Sequence, residues 1–236
     1  MEKKEKFVFP DYGGVHHVAQ KVGEADFFLE KLKATDSWNE EFDYYFSAYA
    51  TALRSITFIL QFVMRKFPGF DEWYKPRQEK LRKSSVSKLF VELRNNTQKT
   101  GILPIAKKNS ITEGKFYLTD QFFLPPKLSF KDIPEGGVVE LSEICFVEIL
   151  EALAECYKDF DVYIDPRTLF TERGIRALNW NIEDIEEYMG IPRGYTDLDY
   201  QDDKYSNVEI RLQTLKRYGW DELLQFYLDK YLQKEN

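Results

Sequence analysis

Residues Phe42–Phe67 read FDYYFSAYATALRSITFILQFVMRKF, and apolar side chains recur in them at three- and four-residue steps: Phe42, Tyr45, Phe46, Tyr49, Leu53, Ile56, Leu60, Val63 and Phe67. That period belongs to an α-helix with one buried stripe, and no strand sustains it for about seven turns. Ser37 or Asn39 can cap its start and Pro68-Gly69 stops it. Its most apolar window, Ser55–Met64, contains Thr57 and Gln61 and is bordered by Arg54 and Arg65, so it reads as a core helix of a soluble, cytoplasmic protein with no membrane partner.

Outward from this helix the pattern stays helical. Ala25–Lys33 is expected to be a short helix with Phe28, Leu29 and Leu32 on one face, and Phe70–Lys83 another, kinked or restarted at Pro76. Ser84 or Ser85 can cap a helix whose apolar face is Val86, Leu89, Phe90 and Leu93 and whose stop is Gly101. Between Ile102 and Gly137 the period changes; Lys115–Leu124 (KFYLTDQFFL), between Gly114 and Pro125-Pro126, predicts a small hairpin or strand pair. Val138–Phe160 returns to an amphipathic helix using Leu141, Ile144, Cys145, Ile149, Leu153 and Cys156. Shorter helices follow near Thr168–Leu178, Ile182–Met189, Asn207–Tyr218 and Asp221–Gln233. The expected fold is mainly α: a helical region over 1–101, an irregular or β-hairpin connector or insertion over 102–137, and a helical region over 138–236, either separate or continuous with the first.

Composition narrows the chemistry. With 236 residues, among them 19 Phe, 15 Tyr and 4 Trp, the chain can build an aromatic core. Cys145 and Cys156, eleven positions apart on one helix, would be ~16 Å apart, too far to bridge, and read as buried thiols of a reducing compartment. The two histidines, His16 and His17, are adjacent, so no Cys/His metal site assembles at a familiar spacing. The phosphate-loop, dinucleotide and serine-elbow motifs are missing, and no cofactor is expected. The net charge of −7 disfavours a protein that coats nucleic acid nonspecifically, yet it is unevenly placed. Between Lys75 and Lys108 ten basic residues face only Glu79 and Glu92, a local charge of +8.

That basic segment includes Leu93–Gly101, LRNNTQKTG, a polar helix end rich in hydrogen-bonding side chains. Taken with Ala52-Leu-Arg-Ser-Ile-Thr57 on the long helix and the aromatic pair Trp73-Tyr74, the helix ending Phe90-Val-Glu-Leu-Arg-Asn95 resembles the HEPN superfamily. These are helical nucleotide-binding and RNase modules common in prokaryotic conflict systems. The resemblance covers Gly23–Gly101 and implies a helical bundle, a homodimer with facing motifs, and RNA or a nucleotide as ligand. The family motif is an arginine, usually followed by a polar residue, then a histidine after four to six intervening positions. Arg94 and Asn95 match its first half, but Lys99, Thr100 and Gly101 stand where the histidine belongs.

The missing histidine changes the expected chemistry. Metal-independent RNA cleavage needs a proton shuttle near neutral pH, which histidine supplies and an exposed lysine does not. Arginine can hold phosphate without one, because its planar fork makes charge-assisted bonds. The expectation is therefore a catalytically degenerate protein that binds RNA, a nucleotide or a protein partner through Arg94, Asn95, Lys99 and Arg54, in a defence or toxin–antitoxin setting that only the resemblance supplies. No catalytic residue is assigned.

Other readings of the same residues stand beside this one. Arg94-Asn95 also suits a helix end that favours cations, and Arg54 an internal ion pair with Asp43 or Glu92. His17 or a tyrosine could serve as the base of an active endoribonuclease if the N-terminal segment, read as extended, folds over Arg94. The acids Glu183, Asp184, Glu186, Glu187, Asp197, Asp199, Asp202 and Asp203 suit ordinary helix-start chemistry after an Asn181 cap; they would alternatively chelate a cation, or form the surface of an acidic inhibitor of a basic toxin. The run Lys75–Lys88 reads as a solvated face.

Overall fold

A computed structural model describes residues 12–101, 103, 105–112, 115–122, 133–196, 204–216 and 223–232. The fold is mainly α. The helices are α1 (Tyr12–Ala34), α2 (Glu40–Met64), α3 (Phe70–Lys83), α4 (Ser85–Thr100), α5 (Val138–Asp159), α6 (Asp161–Ile164), α7 (Pro166–Leu169), α8 (Glu172–Ala177), α9 (Ile182–Tyr188), α10 (Asn207–Lys216) and α11 (Leu223–Leu232). The expected hairpin is present as β1 (Ile105–Thr112) and β2 (Lys115–Phe122), antiparallel with Thr112 opposite Lys115. The chain divides into two compact units, one of His17–Leu153 with Leu223–Asn236, the other of Met1–His16 with Ala154–Glu222.

In the larger unit α2 is the central element. Asn39 caps it by accepting from the Glu41 amide, and its stripe of Phe42, Phe46, Tyr49, Leu53, Ile56, Leu60 and Val63 is buried. Among the described helices only α2 is long and apolar enough to cross a membrane, and half of that apolar window is packed inside the protein. Phe90 of α4 meets the rings of Phe46 and Tyr49, each at 6.0 Å between centroids. The Tyr49 hydroxyl donates to the Ser142 carbonyl of α5 at 2.6 Å, which satisfies the one polar group a buried tyrosine carries.

The connections follow from local chemistry. Gly69 precedes α3 in the left-handed region, and Pro76 sits inside α3, which stays continuous instead of restarting. Ser84 caps α4 by accepting from the Ser87 amide, and Gly101 closes it at φ +70°. The Ser84 and Ser87 hydroxyls both donate to Glu148 of α5, at 2.8 and 2.7 Å, fixing the start of α4. Asp120 of β2 accepts from the Val138 amide at 3.0 Å and so ties the hairpin to the start of α5.

Three details differ from the sequence reading. α1 begins at Tyr12, not Ala25, and His16 and His17 lie in its first turns, so they are helical and not extended. The α5 face keeps Leu141, Cys145, Ile149 and Leu153 buried but leaves Ile144 40% exposed. The expected helix Thr168–Leu178 is two, α7 and α8, because Thr171 adopts an extended conformation and caps α8 by accepting from the Gly174 amide.

The smaller unit has its own core of Leu169, Phe170, Ile175, Leu178, Ile182, Ile185, Leu212 and Leu215. Asn181 and Asp184 form a reciprocal capping box at α9. Beneath it Glu186, almost fully buried, receives two hydrogen bonds from the buried Arg211 guanidinium at 2.8 and 2.5 Å and one from Thr196 at 2.5 Å.

Candidate functional site

Arg54 stands mid-way along α2, half-buried. Its Nη1 donates to Thr57 Oγ1 at 3.3 Å and its guanidinium lies 4.3 Å from the Phe58 ring centroid. Burial lowers its pKa below the usual arginine value; Tyr74 works against this, while Arg94 and Arg82 push in the same direction as burial. Arg54 of α2 thus lies within Coulombic reach of Arg82 of α3 and Arg94 of α4. Among the described residues Arg54 has no carboxylate partner, and the internal ion pair with Asp43 or Glu92 is not formed. Arg82 and Arg94 likewise make no ion pair among the described residues. The Arg94 Nη1 reaches Asn95 Oδ1 at 3.3 Å, and its Nε is buried with no hydrogen-bond partner there.

The expected set is brought together only in part. α4 runs on to Thr100, so Arg94 lies two turns inside the helix and not at its negative end, where the dipole would favour it. Lys99, five residues on, is about 140° round the helix from Arg94 and exposed in the last turn. His17 is exposed on α1, its Nδ1 3.3 Å from Gln20 Oε1. Most of the run Lys75–Lys88 is exposed, Arg82 included, as a solvated basic face requires; Arg82 also lines a cavity with Arg54, a relation across helices that no local spacing signals.

Arg54 and Arg82, but not Arg94, line a cavity of about 300 Å³. Its buried wall includes Leu53, Tyr74, Phe90, Cys145 and Ile149; Arg54, Arg82, Lys88 and Glu92 also line it. Burial pushes the Cys145 thiol up to about 12, with a hydrogen bond shared with Ser87 opposing and Glu148 adding, so it is a protonated thiol near neutral pH and a poor nucleophile. The arrangement offers cationic donors and an apolar recess. Among the described residues no imidazole lines it.

The acidic set has a different surrounding. Arg193 pairs with Glu183 at 3.4 Å, with Glu187 at 2.8 Å and closely with Asp184, and Glu186 is held by Arg211. Asp197, Asp199, Asp202 and Asp203 lie outside the described residues. Among the described residues no three His, Cys, Asp or Glu side chains are grouped to hold a metal ion.

Fold and site together define a mainly α protein in which Arg54 and Arg82, with no ion pair among the described residues, line a largely apolar recess. A family model described as bacteriophage lambda protein ea47 matches residues 23–113, the stretch that carries Arg54, Arg82 and Arg94. No curated protein and no solved structure matches the chain.

Proposed function

We propose that this chain is a catalytically degenerate HEPN-like protein that holds RNA or nucleotide phosphate at Arg54 and Arg94, with Arg82 completing the cationic set, and leaves the bound ligand uncut. The observation that carries this reading is the half-buried Arg54, which has no carboxylate partner among the described residues, lines a recess together with Arg82 and lies within Coulombic reach of Arg94. Grouped like charges raise one another's cost, and an arriving anion relieves it. Phosphate is suited to guanidinium donors, which stay ionised at neutral pH. The absence of histidine at Lys99, Thr100 and Gly101 supports binding without cleavage. The phage name of the matched family fits a cytoplasmic setting of phage–host conflict. The inhibitor reading has weaker support, because Glu183, Asp184 and Glu187 are already engaged by Arg193 and Glu186 is buried on Arg211.

Anisotropy of a labelled single-stranded RNA, in EDTA and at two salt concentrations, tests the proposal. Binding should weaken with salt, and Arg94→Ala should cost about 1–3 kcal/mol of affinity with little change in melting temperature. Turnover that vanishes in Arg94→Ala would restore the active endoribonuclease. Unfolding of that variant, with no RNA affinity in the parent, would make Arg94 a structural tie.

A further inference from the structure

The polar groups lining the recess are unevenly satisfied. Thr57 Oγ1 donates to the Arg54 carbonyl at 3.1 Å and accepts from Arg54, and the Ser87 hydroxyl donates to Glu148. Leu53, Phe90 and Ile149 beside them are apolar. The buried apolar wall therefore offers no hydrogen bond to a polar molecule, while Gln78, Lys88 and Glu92 stand among the polar residues that line the rest of the cavity. Cationic donors are supplied by the half-buried Arg54 and the exposed Arg82, which line the same cavity; Arg94, whose buried Nε has no hydrogen-bond partner, is not among its lining residues. Glu92 lines it too, one carboxylate against Arg54, Arg82 and Lys88.

From this split we infer that the cavity binds a small amphiphilic anion, its apolar body against Leu53, Phe90 and Ile149 and its anionic head on Arg54. The inference rests on the reading of the arginines as an anion site, but names a ligand that RNA is not. Size sets the class: about 300 Å³ is at the lower end of ligand pockets and, at roughly 30 Å³ per water-sized group, holds about ten heavy atoms. Octanoate is such a molecule. Because its head would occupy Arg54, it should compete with RNA phosphate there.

Calorimetric titration of the full chain with octanoate below its micelle concentration is the test, with octan-1-ol, acetate and adenosine monophosphate as controls. Octanoate should bind one to one, and octan-1-ol and acetate at least tenfold more weakly. Arg54→Gln should lower octanoate affinity at least tenfold and leave octan-1-ol unchanged; Arg82→Gln, on an exposed side chain, should weaken octanoate if the first variant fails to fold. Equal binding of octanoate and octan-1-ol, or binding of adenosine monophosphate with none of octanoate, overturns the inference with no variant needed. RNA anisotropy on the same samples separates the two readings. RNA that binds while octanoate does not sinks the cavity ligand alone, whereas octanoate that binds while RNA does not sinks the RNA reading alone.

Discussion

Glu186 shows how little a single residue's neighbours in sequence say about its role. Following Asn181-Ile-Glu-Asp, it reads as one more acid in a solvated first turn, yet it is buried and paired with Arg211, 25 positions later. Burial alone would raise its pKa; the hydrogen bonds from Arg211 and Thr196 and the Arg211 charge outweigh that and hold it below the ordinary carboxylate value. A depressed folded-state pKa contributes stability above the unfolded value near 4.3, lost as pH falls through the lower folded value. Arg211→Met should therefore cost about 3–5 kcal/mol at pH 7, measured by urea unfolding, because it strands a buried carboxylate. The deficit should shrink toward pH 4, where Glu186 in the variant takes up a proton. Cys145 gives a second check at this scale. With its thiol pushed up to about 12 and buried, it should resist a thiol-labelling reagent at pH 8 in the native protein and react once urea unfolds it. That both cysteines are buried was legible from their place on the apolar face of one helix. The company of Arg54 and Arg82 was not, since each spacing that could reveal it crosses between helices.

Elements were legible where periodicity is long and uninterrupted. α2, α4 and α5 follow from their apolar steps and from caps such as Asn39, Ser84 and Gly101. α1 carries the same signal in Val18, Val22, Ala25, Leu29 and Leu32, but Gly13, Gly14 and Gly23 lower local helix propensity, which hides the part before Ala25. Gly23 has a tertiary reason to be there. A Cβ at that position would stand 2.7 Å from the Tyr227 hydroxyl oxygen of α11 and 3.2 Å from the ring carbon bearing it. Helix propensity favours alanine by about 1 kcal/mol, while overpacking costs about 1–3 kcal/mol. Gly23→Ala should thus be neutral to destabilising in thermal unfolding, and Tyr227→Phe in the same chain should recover stability by removing the nearest atom. A double-mutant cycle returning no coupling would mean that α11 does not press on α1 at this point.

Across the whole molecule, the mainly α class was legible but its division into two units was not, because two of the boundaries fall inside the continuous helices α1 and α5 and the larger unit is completed by α11 from the far end of the chain. Assembly is a matter for this scale too. Phe62 is 85% exposed and Phe58 50% exposed on α2, the helix that carries Arg54, and Arg54 stacks on Phe58. An apolar surface of this kind on a helix is suited to a two-fold interface, where the same patch meets itself. Two copies joined along α2 would bring two sets of arginines to one groove, as the HEPN resemblance implies for a homodimer. Light scattering over a concentration series should then give twice the chain mass, and Phe62→Glu should return the mass of one chain while circular dichroism keeps its helical signal. If the groove is shared, the same substitution should also reduce RNA affinity, although Phe62 itself makes no bond to phosphate. A parent chain that stays monomeric at high micromolar concentration would remove the paired groove and leave phosphate binding to the arginines of a single chain.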